Sequence, residues 1–109
     1  MEVTIEKVDG ATIVVPIGDV DLSNSRDLQT HLRKVMTSKP ARLVIDLGEV
    51  SYMDSSGVAT LVEAMQIARG QSTSLLLCRL HEKVRAIFEI ARLDKVFTIV
   101  ASRDEALQN

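Results

Sequence analysis

The chain has 109 residues, 46% of them hydrophobic and 3% aromatic, with a net charge of −2. That length suits one domain, residues 1–109, whose core must be filled by Val, Ile, Leu and Ala. The interspersed charges exclude a basic stripe for nucleic acid, the single Cys78 excludes an internal disulfide, and no apolar run approaches the ~20 residues of a membrane span. The opening segment has no basic stretch followed by a long apolar run, so neither a signal peptide nor membrane insertion is expected, and a cytoplasmic location is.

Val3, Ile5 and Lys7 alternate with polar residues, and Ala11 to Ile17 forms a second strand pattern after Asp9-Gly10. An Asp-Gly pair suits a two-residue hairpin turn, and Pro16, lacking an N–H, is expected to end or bulge the second strand. Ser23, Asn24 and Ser25 are candidate caps for a helix from about 24 to 37, with Leu28, Leu32, Val35 and Met36 on its apolar face. Pro40 stops it. Arg42 to Leu47 reads as a third strand. Val58 to Arg69 reads as a helix with Val58, Leu61, Val62 and Met65 inside, Thr60 on the polar side and Gly70 as C-cap. Thr73 to Cys78 is a fourth strand. Val84, Ile87, Phe88 and Ala91 mark a third helix, and Val96 to Val100 a fifth strand. Ser102 with Glu105 three residues later opens a short final helix. The alternation predicts an α/β fold: a mixed, mostly parallel sheet of about five strands joined by crossover helices.

Function in such sheets gathers at the carboxyl ends of the strands, which here are Gly18 to Ser25, Glu49 to Val58 and Arg79 to Glu82. The richest of these is Asp54-Ser55-Ser56-Gly57, where a strand turns into a helix. The outward amides of a helix start favour an anion. A serine there can cap the helix, hold an anion or become one by phosphorylation. On the plainest reading Ser55 or Ser56 caps the helix, with Asp54 as a second cap.

Enzyme chemistry finds little support. A serine nucleophile needs a base. His31 lies mid-helix, whereas His81 lies at a strand end and within approach of the serines. Residue 53 is Met53, so the Gly-x-Ser-x-Gly elbow is missing, and His81 reads as a helix-start residue. One Cys and two isolated His give no metal-ligand spacing. Asp19, Asp21 and Asp54 read as loop and cap residues in preference to a Mg²⁺ site. Nucleotide-binding glycine fingerprints are absent, so no cofactor and no metal is expected. Cys78 and the methionines Met36, Met53 and Met65 read as core, with Met53 also a candidate for the rim of the site.

These residues resemble a known family. Gly18-Asp19-Val20-Asp21-Leu22-Ser23-Asn24 is similar to the Gly-Glu-Ile-Asp-type segment of STAS domains. Val44-Ile45-Asp46-Leu47 followed by Val50-Ser51-Tyr52-Met53-Asp54-Ser55-Ser56-Gly57-Val58 is similar to their signature. The likeness covers essentially the whole chain and is greatest to the single-domain anti-sigma factor antagonists. It implies helices stacked mainly on one sheet face. It further implies a partner-switching role without catalysis. The partner would be an anti-sigma factor with serine kinase activity, of the histidine-kinase-like ATPase type, and a metal-dependent serine phosphatase would reverse its action. By that resemblance Ser55 is the phosphoacceptor, with Ser56 the alternative. The partner surface would comprise Asp19, Asp21, Ser23, Asn24, Asp54, Ser56, Gly57, Val58 and His81. Val58-Ala59 departs from the common Leu-Gly after the motif. The rival reading is a STAS subunit of a phospholipid ABC transport system, docked on an ATPase and never phosphorylated.

Overall fold

The computed structural model describes residues 1–108. Strands β1 (Glu2–Val8) and β2 (Ala11–Ile17) are followed by α1 (Ser25–Thr37), β3 (Arg42–Asp46), α2 (Ser55–Gly70), β4 (Ser74–Cys78), α3 (Glu82–Ile90), β5 (Thr98–Val100) and α4 (Arg103–Gln108), with a 3-10 turn at Leu93–Lys95. This is the expected α/β order.

The sheet order is β1-β2-β3-β4-β5. β1 pairs antiparallel with β2 through a turn that places Val8 opposite Ala11, and Gly10 supplies its positive φ of 72°. The remaining neighbours are parallel. Each crossover steps to the next strand in one direction, so crossovers of one hand place their helices on one face. Leu28, Leu32 and Met36 of α1, Leu61, Ala64 and Ala68 of α2 and Val84 and Phe88 of α3 pack there on Val14, Leu43, Ile45, Leu75 and Leu77. The alternate strand residues Ile13, Val15, Val44, Leu76 and Cys78 face the other way and gather around Ala106 of α4. The final helix opens as its capping box predicts: Glu105 N–H donates to Ser102 Oγ at 3.2 Å.

Several local expectations are corrected. Pro16 neither ends nor bulges β2. It lies opposite Val3 in register and beyond Val14, the last β2 residue paired with β3, so its missing N–H removes no parallel ladder bond. Gly70 is the last residue of α2 and does not cap it. The left-handed position falls on Ser72 (φ 60°), and Thr73 N–H closes on Ala68 O at 2.8 Å. Thr60 is buried, because α2 packs on α1 as well as on the sheet and hides a wider arc than one apolar stripe. Ala91 lies just past α3 and is exposed.

Candidate functional site

Two loops meet at the carboxyl end of the sheet, and backbone bonds zip them together. Gly18 N–H donates to Glu49 O, Val20 N–H to Tyr52 O and Asp54 N–H to Val20 O, each at 3.0 Å. Val20 and Met53 form an isolated parallel bridge and are both fully buried. Met53 is therefore floor and not rim.

The helix begins earlier than its apolar pattern predicts, at Ser55, and its N-cap is Asp54. Asp54 Oδ1 accepts from Ser56 N–H at 2.9 Å, Ser56 Oγ–H at 2.5 Å and Gly57 N–H at 3.3 Å. Its Oδ2 accepts from Leu22 N–H, at 3.0 Å, on the neighbouring loop. The Ser56 hydroxyl bond, followed by the amides of Gly57, Ser56 and Leu22, outweighs desolvation and holds the Asp54 pKa below its ordinary value. Asp54 is thus an anion at neutral pH.

This arrangement separates the two serines. Ser56 is half-buried and its hydroxyl is engaged with Asp54. Ser55, the first residue of α2, is exposed, and its hydroxyl makes no hydrogen bond among the described residues. Because an aspartate serves as the cap, neither serine is needed for that purpose.

The facing loop is ordered by its own polar residues. Asp21 Oδ1 accepts from Ser23 N–H at 2.9 Å and Ser23 Oγ–H at 2.5 Å. Asn24 precedes α1, yet its side chain does not cap that helix. Instead Nδ2 donates to Asp19 O at 2.8 Å, and Oδ1 accepts from Asp21 N–H at 2.9 Å. Asp19 Oδ1 accepts from Ser51 Oγ–H at 3.1 Å. The three aspartates are each committed to separate loop contacts, and among the described residues no cluster of three metal-type ligands occurs.

Gly57 and Val58, expected on the partner surface, are buried and support the turn from beneath. A Cβ on Gly57 would stand 2.6 Å from Met53 Cγ and 2.9 Å from Val20 Cγ1. Gly57→Ala is expected to destabilise the fold by about 1–3 kcal/mol through overpacking against these two buried side chains. A melting curve of the variant checks this, and unchanged stability would show that the floor yields freely. His81 precedes α3, and its Nε2 lies 2.8 Å from Gly48 O, so its bonded ring nitrogen serves the β3–α2 loop and neither serine.

Sequence reasoning missed three features. Leu22 is 81% exposed and Tyr52 52% exposed, flanking the zipped loops with apolar surface. Leu22 falls outside every helical or strand period, which was the available signal. Beside it runs an open cleft of about 500 Å³ between the starts of α1 and α2, lined by Leu22, Arg26, Gln29, Ser56, Ala59 and Thr60. Gln29 Nε2 donates to Glu63 at 2.8 Å and Arg33 pairs with the same carboxylate, fixing α1 against α2.

The third is Asp46, fully buried on the α4 side of the sheet. It accepts from Arg103 Nε at 2.6 Å, Gly48 N–H at 2.9 Å and Arg79 Nη1 at 3.1 Å, and Arg103 continues to Glu6 at 2.9 Å. Burial alone would raise its pKa. The bonds from Arg103, Gly48 and Arg79 together outweigh that and hold it below the ordinary carboxylate value. Its neighbour Cys78 shows the opposite balance. Burial, reinforced by the Asp46 charge, pushes the thiol up to about 11. Cys78 is therefore expected to resist thiol reagents at pH 8 in the folded protein and to react on unfolding, since the thiolate is the nucleophile. Timed alkylation with mass detection checks this; rapid native labelling would contradict it.

Among the described residues no helix is long and apolar enough to cross a membrane. The STAS domain pattern matches residues 2–106. The chain is 31% identical over 106 residues to BtrV of Bordetella bronchiseptica, a candidate anti-sigma factor antagonist, covering 97% of this chain and 91% of that one. It is 31% identical over 91 residues to the anti-sigma-B factor antagonist of Bacillus subtilis, covering 84% and 83% respectively. Among solved structures, an anti-sigma factor antagonist from Mycobacterium paratuberculosis superposes with a TM-score of 0.91 at 26% identity, covering 98% of this chain and 91% of that one. With the fold and the Asp54–Gly57 turn placed as above, the chain belongs to the anti-sigma factor antagonist family of STAS-domain proteins.

Proposed function

We propose that this protein is a phosphorylatable partner switch in the cytoplasm. In its unphosphorylated form it binds an anti-sigma factor with serine kinase activity, and phosphorylation of Ser55 releases it. The observation that carries this reading is the contrast between the two hydroxyls: Ser55 Oγ is exposed and unbonded among the described residues, whereas Ser56 Oγ is held by Asp54. The kinase would transfer the γ-phosphoryl group of ATP to Ser55 Oγ. The O–P bond forms as the β–γ bridge of ATP breaks, ADP leaves, and the hydroxyl proton passes to a base on the kinase. A serine phosphatase would restore the hydroxyl by hydrolysis. The protein itself contributes a surface and no catalytic group.

The added phosphate carries about −1.5 to −2 charge at neutral pH. It arises one residue from the ionised Asp54 and on the rim shared with exposed Leu22. A partner that packs dry against this rim loses fit and gains an unpaired charge, which costs far more than the helix dipole returns at an exposed site, about 0.3–1 kcal/mol. Asp19, Asp21, Ser23, Asn24 and His81 would contribute to the same surface, with Gly57 and Val58 holding its shape.

Incubation with the kinase encoded by the same organism and ATP, followed by phosphopeptide mapping, is expected to place one phosphate on Ser55. Phosphate on Ser56 alone would transfer the role to that residue. Phosphate on neither, with an ABC-type ATPase co-purifying, would replace this reading with the transport one.

A further inference from the structure

We infer that Asp54 is a positioning residue whose carboxylate clasps the β2–α1 loop to the start of α2 and lets go when Ser55 becomes charged. This deepens the reading above and rests on it for the identity of the charge.

Among the described residues the two oxygens of Asp54 have divided work. Oδ1 serves α2 alone, through the amides of Ser56 and Gly57 and the Ser56 hydroxyl. Oδ2 serves the other loop alone, through Leu22 N–H, which is 32 residues away in sequence. The Leu22 side chain is 81% exposed, so little packing holds that residue in place. Leu22 is flanked by the backbone rung at Val20 and the Asp19–Ser51 bond on one side and by Thr60 Oγ1–H donating to Ser25 O at 3.5 Å on the other, while the bonds of Asp21, Ser23 and Asn24 are internal to the loop or to its own flank. Between those flanking ties, one carboxylate oxygen is the partner that Leu22 itself finds across the gap to the turn carrying Ser55.

A phosphate on Ser55 acts on that carboxylate in two ways. It repels a neighbouring anion, and its oxygens compete for the same outward amides at the start of α2. Either effect turns the carboxylate, and the long-range bond to Leu22 is the contact most easily given up, because its donor lies on a surface loop. The charge on one loop is thus converted into freedom of the other.

Asp54→Asn separates this clasp from the cap. Asparagine caps helices about as well as aspartate. Its single carbonyl oxygen can keep the α2 amides, while the NH₂ that replaces the second oxygen cannot accept from Leu22 N–H. The measurement is residue-resolved amide exchange by NMR on the full chain. In Asp54→Asn the Leu22 amide is expected to exchange at least tenfold faster, with Leu61 and Met65 in α2 unchanged. Ser55→Glu and Ser55-phosphorylated protein should show the same local acceleration, with phosphate stoichiometry confirmed by mass spectrometry. Unchanged Leu22 exchange in Asp54→Asn, or in Ser55→Glu and phosphoprotein together, would overturn the clasp. Acceleration throughout α2 would also overturn it, by showing that Asp54 acts only as a cap. If no kinase modifies Ser55, the switch reading fails separately, and the Asn and Glu variants still decide the clasp.

Discussion

Ser55→Asp and Ser55→Glu are expected to bind the kinase partner at least tenfold more weakly than Ser55→Ala, a difference of about 1.4 kcal/mol or more. Alanine removes only an exposed, unbonded hydroxyl, and Asp54 remains as the cap, so the variant should bind as the parent does and keep its stability. A carboxylate at the same place adds like charge beside Asp54, which is already ionised. Acids are well tolerated in the first turn of a helix, so the acidic variants should also fold. They will understate the effect of phosphate, which carries more charge and more oxygens. Titration calorimetry against the purified partner, with circular dichroism on each variant, makes the comparison. Equal affinities for the Ala and Asp variants in folded protein would remove the electrostatic basis of the switch.

Asp46→Ala is expected to destabilise the fold by about 2–3 kcal/mol. Removing one partner of a buried ion pair typically costs about 3–5 kcal/mol because it strands the other charge. Here the side chains of Arg79 and Arg103 are 44% and 33% exposed, so both can turn partly to water, which lowers the cost. The loss should fall on α4, which Arg103 ties to β3. On a domain of this size a melting temperature lower by about 10 °C is the readout. The pH dependence has a definite sign. The folded pKa of Asp46 lies below its ordinary 3.8, so the unfolded chain takes up the proton first. Its contribution is fully present above that value and is lost as pH falls through the lower folded value. The stability gap between parent and variant should be constant from pH 7 to about 5 and should narrow only below about 4. A gap that instead varies around neutrality would mean that Asp46 is not the titrating group.

The order of elements was legible because hydrophobic periodicity and turn residues act locally. Strand β4, helix α1 and the capping box at Ser102 and Glu105 can each be read within a window of a few residues. The candidate turn was equally legible as a location, since Asp54-Ser55-Ser56-Gly57 stands where strand pattern gives way to helix pattern. Resemblance to the STAS signature then supplied a choice between the serines that spacing alone left open.

What the chain dictated by itself was its alternating architecture and the end of the sheet where chemistry collects, because both follow from nearest-neighbour patterns. The division of labour among the polar groups was settled by tertiary packing. Asp54 caps α2 through one oxygen while the other reaches Leu22 on another loop. Pro16 is tolerated inside β2 because β3 has stopped pairing by then. Asp46 looks like the polar end of an apolar strand, and becomes a buried anion only when Arg79 and Arg103 arrive from distant segments. In each case the deciding partner lies 20 or more residues away in the chain, and no local pattern specifies which donor will be brought within 3 Å of which acceptor.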